Sequence, residues 1–528
     1  MFKTIFIRQS QEMLNRLLFI IVVCLLWNCS GSNKTETYVP PVPSNKTGKE
    51  LAQTYCSSCH QLPSPDLLDK TTWERSVLPK MSYRLGLEPD LFKVYDGMSP
   101  EELPILAAAN VFPEKPVIAP EDWAKIIKYY IDNAPEKPLP QAPKEKVSVG
   151  LNNFKMVEIE GTPNKVPYVT FVKFNPAQKN IYIGWRGLQS FLKIYDLRFT
   201  QTDSLAVPSP VSDVDFSTKN SRILTMGLMA PTNLSQGSLF EVNAQKQQKP
   251  IVESLQRPVQ ATFGDLNQDG QEDFILCNFG NEIGKLAWYD GKDKQEHLLK
   301  ALPGARNTFI KDMNGDNLPD IVALMTQARE GIFIFYNKGN GNFEEKQVLS
   351  FPAVYGSSYM ELADFNKDGF MDILYTNGDN ADFSIILKSY HGIRIFMNDG
   401  KNNFKQTYFY PMFGASKAMA ADFDLDGDLD IAAISFFTDP TQKPHEDFLL
   451  LDNQGNNQFK VATFPEATHG KWMVMDVGDM DQDGDADIIL GSFLRRGMPD
   501  VEQLNMGRKL PPSVIILENK KRTAKAIL

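Results

Sequence analysis

The sequence predicts a multidomain protein, in which a small all-α domain is followed by an all-β seven-bladed β-propeller with metal-binding loops. Three observations support this fold class. The chain has 528 residues, which is too many for a single hydrophobic core. Amphipathic helical patterns lie between residues 47 and 134. Beyond residue 148, five acidic segments recur at intervals of 47 to 58 residues, a period typical of propellers and solenoids.

The composition is that of a folded, acidic protein. Apolar residues make up 42% of the chain and charged residues 23%, and the formal net charge is −10. A chain with this charge offers no basic surface, so nucleic acid is excluded as a partner.

Residues 1–29 are predicted to be an export signal. Lys3, Arg8 and Arg16 precede the apolar run LLFIIVVCLLW (17–27). A run of this length is typical of a signal peptide and is too short to span a bilayer comfortably.

Cys29 lies just past this apolar run, in WNCSG. The segment resembles a bacterial lipoprotein signal, in which this cysteine becomes the lipidated first residue, although Asn28 departs from the small residue usual before it. The alternative is an uncleaved anchor. Both interpretations place the protein in the bacterial cell envelope, anchored to a membrane on the periplasmic side or at the outer membrane, with residues 30–46 as a tether.

Cys56, Cys59 and His60 form a CxxCH motif in TYCSSCHQL. A redox disulfide with this spacing needs a thioredoxin-like βαβ context, which the flanking sequence does not have. A zinc site needs four ligands, but there is no second cysteine pair, and the other histidines lie far along the chain. The third chemistry is covalent haem attachment, in which both thiols bond to the haem and the histidine becomes the proximal iron ligand. The motif therefore predicts one haem c.

Two predicted helices enclose this motif in sequence. Thr47 and Glu50 have capping-box spacing at the start of the first helix. The second helix is predicted over 120–134, with Pro120 at its first position and one apolar stripe. The span 47–134 resembles a small class I cytochrome c, a family in which an N-terminal and a C-terminal helix pack together beside the haem. The resemblance implies electron transfer.

The cytochrome resemblance also implies a methionine as the sixth iron ligand, and a thioether ligand raises the reduction potential. Met81, in VLPKMSYRLG (77–86), resembles the family's Pro-x-Met element and is favoured. Met98, in YDGMSPEEL, is the alternative. A third interpretation is that both methionines are packing residues and the sixth position is open or filled by histidine.

Residues 135–147 form a Pro-rich linker that contains PEKPLPQAPKEK. Its prolines and alternating charges predict a stiff, solvated spacer between the domains.

Five segments of the remaining chain share one nine-residue pattern. They are DLNQDGQED (265–273), DMNGDNLPD (312–320), DFNKDGFMD (364–372), DFDLDGDLD (422–430) and DMDQDGDAD (479–487). Asp or Asn occupies positions 1, 3 and 5, Gly or Asn occupies position 6, and Asp occupies position 9. An apolar strand pattern lies on each side, so each loop joins two strands of a hairpin. Hard oxygen ligands on a tight turn fit Ca²⁺ better than a transition metal, and the missing Glu at position 12 excludes an EF-hand.

About five Ca²⁺ ions are therefore predicted, each held by positions 1, 3, 5 and 9 of one loop. The predicted ligands are Asp265, Asn267, Asp269, Asp273, Asp312, Asn314, Asp316, Asp320, Asp364, Asn366, Asp368, Asp372, Asp422, Asp424, Asp426, Asp430, Asp479, Asp481, Asp483 and Asp487.

These copies resemble the FG-GAP (VCBS) repeats of integrin-type β-propellers. Two further copies, 168–185 and 211–227, keep the strand–turn–strand pattern but lose most of the acids, so they are predicted to fold without calcium. The propeller then has seven units over 148–528. LNNFKMVEIE (151–160) matches the outer strand that the seventh unit lacks, so it is predicted to complete the last blade and close the ring.

The predicted function is electron carriage by one haem, exchanged with a separate redox partner protein, while the propeller docks a protein or a glycan of the cell envelope. The main alternative is a propeller dehydrogenase for a sugar or alcohol, with a quinone-type cofactor, that passes electrons to its own haem. Adhesion alone leaves the haem unexplained. No cofactor fingerprint or acid–base pair stands out, so no catalytic residue is assigned.

Two long insertions in the propeller are weighed as functional loops, although a solvated or packing role is favoured for both. The second is FFTDPTQKPHEDF (436–448). The first, 376–392, concentrates the polar residues Asp379, Asn380, Asp382, Lys388, Tyr390 and His391.

Overall fold

The computed structural model describes residues 38–159, 166–380, 384–494 and 511–521. The chain separates into two units, Met1–Val42 and Pro43–Leu528, and the described helices and strands belong to the second. The predicted export signal and lipidation site at Cys29 lie outside the described residues and stay predictions. None of the described helices is long and apolar enough to cross a membrane.

The helical domain is built from short helices and tight turns. The helices are α1 (Gly48–Tyr55), α2 (Lys70–Thr72), α3 (Leu78–Arg84), α4 (Leu91–Val94), α5 (Leu103–Ala108) and α6 (Pro120–Asn133). Cys56–Ser58 and Pro65–Leu67 form 3₁₀ turns, and Trp73–Val77 forms a π-helical turn between α2 and α3.

Helix α1 begins with the predicted capping box. The backbone N–H of Thr47 donates to the Glu50 carboxylate (2.8 Å), and that of Glu50 donates to the Thr47 hydroxyl (3.3 Å). Helix α1 packs on α6 at Gly48, where a Cβ atom would lie 2.1 Å from the carbonyl oxygen of Lys125. Only glycine allows this approach. The predicted pairing of the first and last helices is confirmed.

An aromatic pair forms the centre of the helical domain. The rings of Trp73 and Tyr130 are 4.4 Å apart between centroids, and both residues are buried. The Trp73 indole donates to the carbonyl of Pro65 (2.8 Å), and the Tyr130 hydroxyl donates to the carbonyl of Pro63 (3.0 Å). The polar ends of both rings are therefore satisfied, as buried aromatic side chains require.

The second domain is all β. Its strands are β1 (Ser148–Val149), β2 (Phe154–Ile159), β3 (Val169–Asn175), β4 (Asn180–Trp185), β5 (Ser190–Tyr195), β6 (Gln201–Val207), β7 (Val211–Asp215), β8 (Ser221–Thr225), β9 (Gly237–Val242), β10 (Gln248–Leu255), β11 (Pro258–Gly264), β12 (Asp273–Asn278), β13 (Lys285–Tyr289), β14 (Glu296–Lys300), β15 (Ala305–Lys311), β16 (Asp320–Met325), β17 (Gly331–Asn337), β18 (Phe343–Ser350), β19 (Ser357–Ala363), β20 (Asp372–Asn377), β21 (Gly392–Asn398), β22 (Phe404–Pro411), β23 (Ala415–Ala421), β24 (Asp430–Ser435), β25 (Phe448–Asn453), β26 (Phe459–Thr463), β27 (Trp472–Gly478), β28 (Asp487–Ser492) and β29 (Val514–Asn519).

These strands form seven sheets, so the predicted seven-bladed β-propeller is confirmed. Blades one to six are the consecutive groups β3–β6, β7–β10, β11–β14, β15–β18, β19–β22 and β23–β26, and blade seven contains β27, β28, β29 and β2. The first strand of each blade is the inner one. The five acidic loops connect the first and second strands of blades three to seven, and the two copies without the acids form β3–β4 and β7–β8.

The ring closes as the sequence predicts. Strand β2 pairs antiparallel with β29, from Phe154 opposite Asn519 to Ile159 opposite Val514. Strand β1 adds a parallel fifth strand to blade six, which the sequence did not predict. The start of the propeller thus joins its last two blades, and β2 covers the edge that β29 would otherwise expose.

The linker is only partly the solvated spacer that its composition predicts. Residues 136–140 are exposed, but Val147 is buried against the propeller. The Lys144 ammonium donates to the carbonyl of Pro411 and to the Glu446 carboxylate, both at 2.8 Å. The prediction is wrong for this end of the linker because the Lys144 ammonium lies over the Tyr410 ring, 5.2 Å from its centroid, and pairs with Glu446. Composition does not reveal either contact.

Polar side chains bond across every junction between neighbouring inner strands. Each side chain reaches the backbone of the next inner strand, or accepts from it, at 2.5 to 3.2 Å. In order around the ring, the pairs are Lys173 with Val214, Asp213 with Ala261, Gln260 with Thr308, Asn307 with Met360, Glu361 with Ala420, Lys417 with Met475, and Asp476 with Phe174. A ring of hydrogen bonds therefore joins the seven inner strands around the axis of the propeller.

Replacing Glu361 by Gln is expected to stabilise the protein at pH 8 by about 1–3 kcal/mol and to leave its stability unchanged near pH 4. Burial raises the pKa of Glu361 to about 7, from an ordinary value of 4.5, against the opposing effects of the Ala420 N–H and Lys417. The folded chain therefore keeps a proton that the unfolded chain loses, and this contribution to stability falls as the pH rises from about 4.5 to about 7. Urea-denaturation midpoints across this pH range measure the difference.

The control for this measurement is Glu253→Gln, because Glu253 is exposed on the outer strand of blade two. Parallel pH profiles for wild type and Glu361→Gln would contradict the assignment of a buried, proton-binding carboxyl to Glu361.

Candidate haem-attachment site and calcium loops

The CxxCH motif lies where α1 ends. Cys56 opens the 3₁₀ turn that follows the helix, and the backbone N–H groups of Cys59 and His60 both lie 3.4 Å from the carbonyl oxygen of Cys56. Cys56 and Cys59 are unbonded thiols, and Cys59 is exposed. Burial, followed by the neighbouring Cys59, raises the pKa of Cys56 to about 11. Two thiols on one turn are the arrangement that double attachment of a haem needs.

His60 is held as a neutral imidazole. Its Nδ1 lies 3.0 Å from the carbonyl oxygen of Gln61, and a carbonyl only accepts, so Nδ1 carries the hydrogen. Burial lowers the pKa of His60, and nearby Arg84 lowers it further, while the bond to Gln61 opposes both effects. The lone pair of the ring is therefore on Nε2, the atom that a metal binds when Nδ1 donates to a backbone carbonyl. His60 fits the role of an iron ligand.

Met81, on helix α3, packs against the same apolar cluster as Cys56, together with Tyr55 and Leu62. The alternative ligand, Met98, lies in a turn in which its backbone N–H donates to the carbonyl of Tyr95 (3.1 Å). Met98 is not a member of this cluster. Met81 and Cys56 thus pack against one apolar cluster. The choice of Met81 as sixth ligand stays a prediction.

The CxxCH turn lies against the propeller. Gln61 forms a β-bridge with Pro352, and the Ser350 hydroxyl donates to the Gln61 side-chain oxygen (3.0 Å). The Arg329 guanidinium donates to the carbonyl of Ser58 (3.4 Å). These propeller residues lie on the side opposite the acidic loops, because Arg329 follows the second strand of blade four, and Ser350 and Pro352 lie at or just after the end of its fourth strand. The candidate haem site therefore lies at a contact between the two domains.

A second contact fixes the helical domain through Glu102, which precedes α5. One of its oxygens accepts from the hydroxyl of Thr232 (3.2 Å) and from the backbone N–H and side-chain amide of Asn233 (2.6 and 3.0 Å). The other accepts from the N–H of Ser99 (3.0 Å). These donors outweigh burial and lower the pKa of Glu102, so it is a carboxylate at neutral pH. No local sequence pattern indicates this contact, because its two sides are about 130 residues apart.

The 376–392 insertion has a packing role in its described part. Ile386 packs on the core of the helical domain, and the Lys388 ammonium donates to the Asn380 side-chain oxygen (2.7 Å). The Tyr390 hydroxyl donates to the carbonyl of Val354 (2.9 Å). Burial and two nearby cations lower the pKa of His391 far below its usual range, so it is neutral.

The other candidate residues of the two insertions differ in burial, and one of them lies outside the described residues. Asp379 is partly buried at the end of the same loop, and Asp382 lies outside the described residues. In the 436–448 insertion, Glu446 and Asp447 are buried, and Glu446 holds the linker through Lys144.

The five acidic loops share one hydrogen-bond pattern. The backbone N–H of position 6 donates to the position 1 aspartate at 2.8–3.2 Å, and the N–H of position 7 donates to the position 5 aspartate at 2.8–3.3 Å. Positions 4 and 6 both have positive φ, including Leu425 at 59° and Gly427 at 96°. The sequence predicted the turn at position 6 and missed the one at position 4, where Gln, Lys and Leu also occur.

The position 9 aspartates have a structural role that the sequence did not predict. All five are buried, and one oxygen of each accepts from the N–H of position 2 (2.7–3.0 Å). The other oxygen accepts from an N–H at or just after the end of the third strand (2.7–2.8 Å). Each residue thus joins its loop to its blade, and the remaining lone pairs stay available to a metal.

Burial of these aspartates is electrostatically costly. It raises the pKa of Asp430 to about 7 and that of Asp487 to about 6, and neighbouring aspartates add to both shifts. A divalent cation among the carboxylates would relieve this cost.

The donor sets of two loops fit a hard divalent cation. Oxygens of Asp422, Asp424 and Asp426 lie within 4.8 Å of one another, as do those of Asp479, Asp481 and Asp483. Oδ1 of the first aspartate in each set is buried and has no hydrogen-bond partner among the described residues. In the other three loops, Asn replaces the middle aspartate, so the position 3 ligand is a neutral amide oxygen.

A cavity of about 330 Å³ lies where blades seven and one meet, on the side of the acidic loops. Its lining residues are Phe174, Pro176, Val477, Gly478, Asp479 and Gln482. Sequence patterns gave no sign of it, since its walls come from opposite ends of the propeller sequence.

Comparison with known proteins supports the propeller assignment. The model of the FG-GAP-like repeat family matches residues 312–375. The chain is 33% identical to integrin alpha-PS5 of Drosophila melanogaster over 175 residues, which cover 30% of this chain and 17% of the integrin. It is 30% identical to integrin alpha-4 of Xenopus laevis over 142 residues, which cover 24% and 14%. The chain thus spans less than a fifth of the length of either relative.

Solved structures give only distant likenesses. A Lactobacillus plantarum protein covers 58% of this chain and 86% of its own, with 12% identity and a TM-score of 0.39. A putative 6-phosphogluconolactonase of Bacteroides fragilis covers 55% and 82%, with 11% identity and a TM-score of 0.37. Both TM-scores are below 0.5, so neither structure informs the function of this chain. The protein is a seven-bladed β-propeller that contains an FG-GAP-like repeat.

Replacing Glu102 by Gln is expected to loosen the helical domain from the propeller and to cost about 1–2 kcal/mol, because a glutamine has only one oxygen for four donors. Faster amide hydrogen exchange around Asn233 and faster proteolysis in the exposed linker measure the loss. The lowered pKa of Glu102 means that its contribution is complete above pH 4.5 and is lost as the pH falls below that value.

Glu114→Gln is the matched control for Glu102→Gln, since Glu114 is exposed in the same domain. Equal exchange and proteolysis rates for Glu102→Gln and wild type would show that Glu102 does not hold the two domains together.

Proposed function

We propose that this protein is an exported electron-transfer protein, in which the helical domain carries one covalent haem c and the calcium-loaded propeller docks a partner. The observation that carries the haem assignment is the geometry at His60. Its Nδ1–H is engaged by the Gln61 carbonyl and its Nε2 lone pair remains for a metal, directly after a turn with two unbonded cysteines.

The haem, when bound, supplies a one-electron redox centre. Cys56 and Cys59 anchor it to the chain, and His60 binds the iron through Nε2. The Gln61 carbonyl fixes the orientation and the tautomer of the His60 ring. Met81 supplies the sixth ligand from the apolar cluster that it shares with Cys56.

The partner-docking part of the proposal rests on the propeller. Its support is the FG-GAP-like repeat and the similarity to two integrin alpha chains. The partner is a redox protein that exchanges electrons with the haem. A glycan or another envelope protein on the propeller, and a lipid anchor at Cys29, complete the proposal for a membrane-anchored envelope protein.

The domain contacts bear on how electrons reach the haem. The CxxCH turn contacts blade four, and Glu102 contacts blade two, so the helical domain is held at several points rather than only by the linker. A redox partner that docks on this side of the propeller would therefore meet the haem at a fixed position.

The proposal is tested with the full chain, matured with haem in a bacterial periplasm. The expected result is one haem per polypeptide that remains attached after denaturation, and none in a Cys56→Ser, Cys59→Ser double variant. Haem reduction by a sugar or alcohol with a quinone cofactor, without any other protein, would instead support the dehydrogenase. Failure of the wild-type chain to retain haem would remove the electron-transfer proposal.

Met81→Ala is expected to abolish the near-infrared charge-transfer band that a methionine sulfur gives with ferric haem iron, while covalent haem is retained. The physical reason is that the sulfur is the atom that binds the iron. Met98→Ala is the control and is expected to keep the band. Loss of the band in Met98→Ala, with its survival in Met81→Ala, would transfer the assignment to Met98.

Calcium removal by a chelator is expected to lower the melting temperature of the propeller by at least about 5 °C and to leave the visible haem spectrum unchanged. Without the ions, the clustered carboxylates repel one another, whereas His60 and the cysteines lie on the other side of the propeller. Calorimetry and absorption spectra of the same sample measure both effects. An unchanged melting temperature would refute the calcium assignment.

A further inference from the structure

Asp485 is a buried carboxylate for which the described structure provides no hydrogen-bond donor. It lies in the acidic loop of blade seven, at position 7, and its side chain is 3% exposed. Both of its oxygens are buried and lack a hydrogen-bond partner, and among the described residues no other carboxylate has two such buried oxygens. Leaving an ionised carboxylate buried and unpaired is strongly unfavourable, so the site favours either a bound proton or a compensating cation.

The equivalent residue of blade six shows what is missing. Asp428 is also an aspartate at position 7, and its oxygen accepts from the Lys367 ammonium at 2.8 Å. Lys367 occupies position 4 in the loop of the preceding blade. The residue at position 4 before blade seven is Leu425, which has no charge and no donor in its side chain. The neighbouring blade therefore neutralises Asp428 and leaves Asp485 without a partner.

The surroundings of Asp485 are acidic. Its carboxyl lies against that of Asp483, and Asp487 and Asp481 are its next charged neighbours. Lys520, at the same end of this blade, donates to Asp481 and Glu518. Asp485 is also separate from the group of three carboxylates, of which Asp483 is a member, that lie within 4.8 Å of one another.

We propose that blade seven binds a second divalent cation, held between the carboxylates of Asp485 and Asp483, beside the ion assigned to the loop itself. Asp483 bridges the two ions. All available ligands are hard oxygens, so the site takes Ca²⁺ or Mg²⁺ rather than a softer transition metal. This inference rests on the proposed calcium loops, and it distinguishes blade seven from the other four acidic blades.

The number of bound ions tests the inference directly. Native mass spectrometry of the full, haem-matured chain with added Ca²⁺ is expected to show six ions in wild type, five in Asp485→Asn, and six in the control Asp428→Asn. Five ions in both wild type and Asp485→Asn would overturn the second site and leave the calcium loops standing. No bound ions in wild type would refute the calcium loops and this inference together.

Melting temperatures provide a second readout that does not depend on counting. In chelator, Asp485→Asn is expected to melt above wild type, because it removes an unpaired buried charge. Asp428→Asn is not expected to melt above wild type, because it removes the partner of Lys367. In Ca²⁺, Asp485→Asn is expected to melt below wild type, because it loses one ion. Identical melting of Asp485→Asn and wild type in both conditions would overturn the proposal.

Discussion

The closure of the propeller ring is the constraint on which the rest of this structure depends. Strand β2 pairs with β29 at the far end of the domain, and side chains of the inner strands bond across all seven junctions. Because a single blade leaves both of its faces exposed, the blades are stable only when each is covered by its neighbours. Closure also defines two sides of the propeller. One side carries the acidic loops, and the other contacts the helical domain.

The acidic loops bury negative charge that a bound cation would compensate. Their position 9 aspartates tie the loop to the blade through backbone N–H groups, and this requires burying a negative charge next to further carboxylates. The same side chains are thus structural in the polypeptide and available to a metal. If the loops bind calcium as proposed, calcium binding and blade stability are coupled, and the unpaired Asp485 makes this coupling strongest in blade seven.

The helical domain depends on the propeller for the surroundings of its CxxCH turn. Gln61, whose carbonyl sets the tautomer of His60, is itself held by Ser350 and by a bridge to Pro352. Val354 and Ile386 extend the apolar cluster in which Cys56 and Met81 pack. The propeller therefore helps to orient the proposed iron ligand, and it extends the apolar surroundings of Cys56 and Met81.

The sequence by itself determined the seven blades and the first and last helices of the helical domain, because local patterns encode them: the capping box at Thr47, the Asp–Gly turns, and the strand missing from the seventh unit. It also identified Cys56, Cys59, His60 and the loop aspartates as candidates, since their chemistry is visible in spacing alone. Only the tertiary structure decided which groups meet across long separations. Glu102 with Asn233, Lys144 with Glu446, and the seven inner-strand bonds join residues that no local pattern relates. The physical reason is that hydrogen bonds and burial depend on distance in space, and the ring alone brings these side chains together.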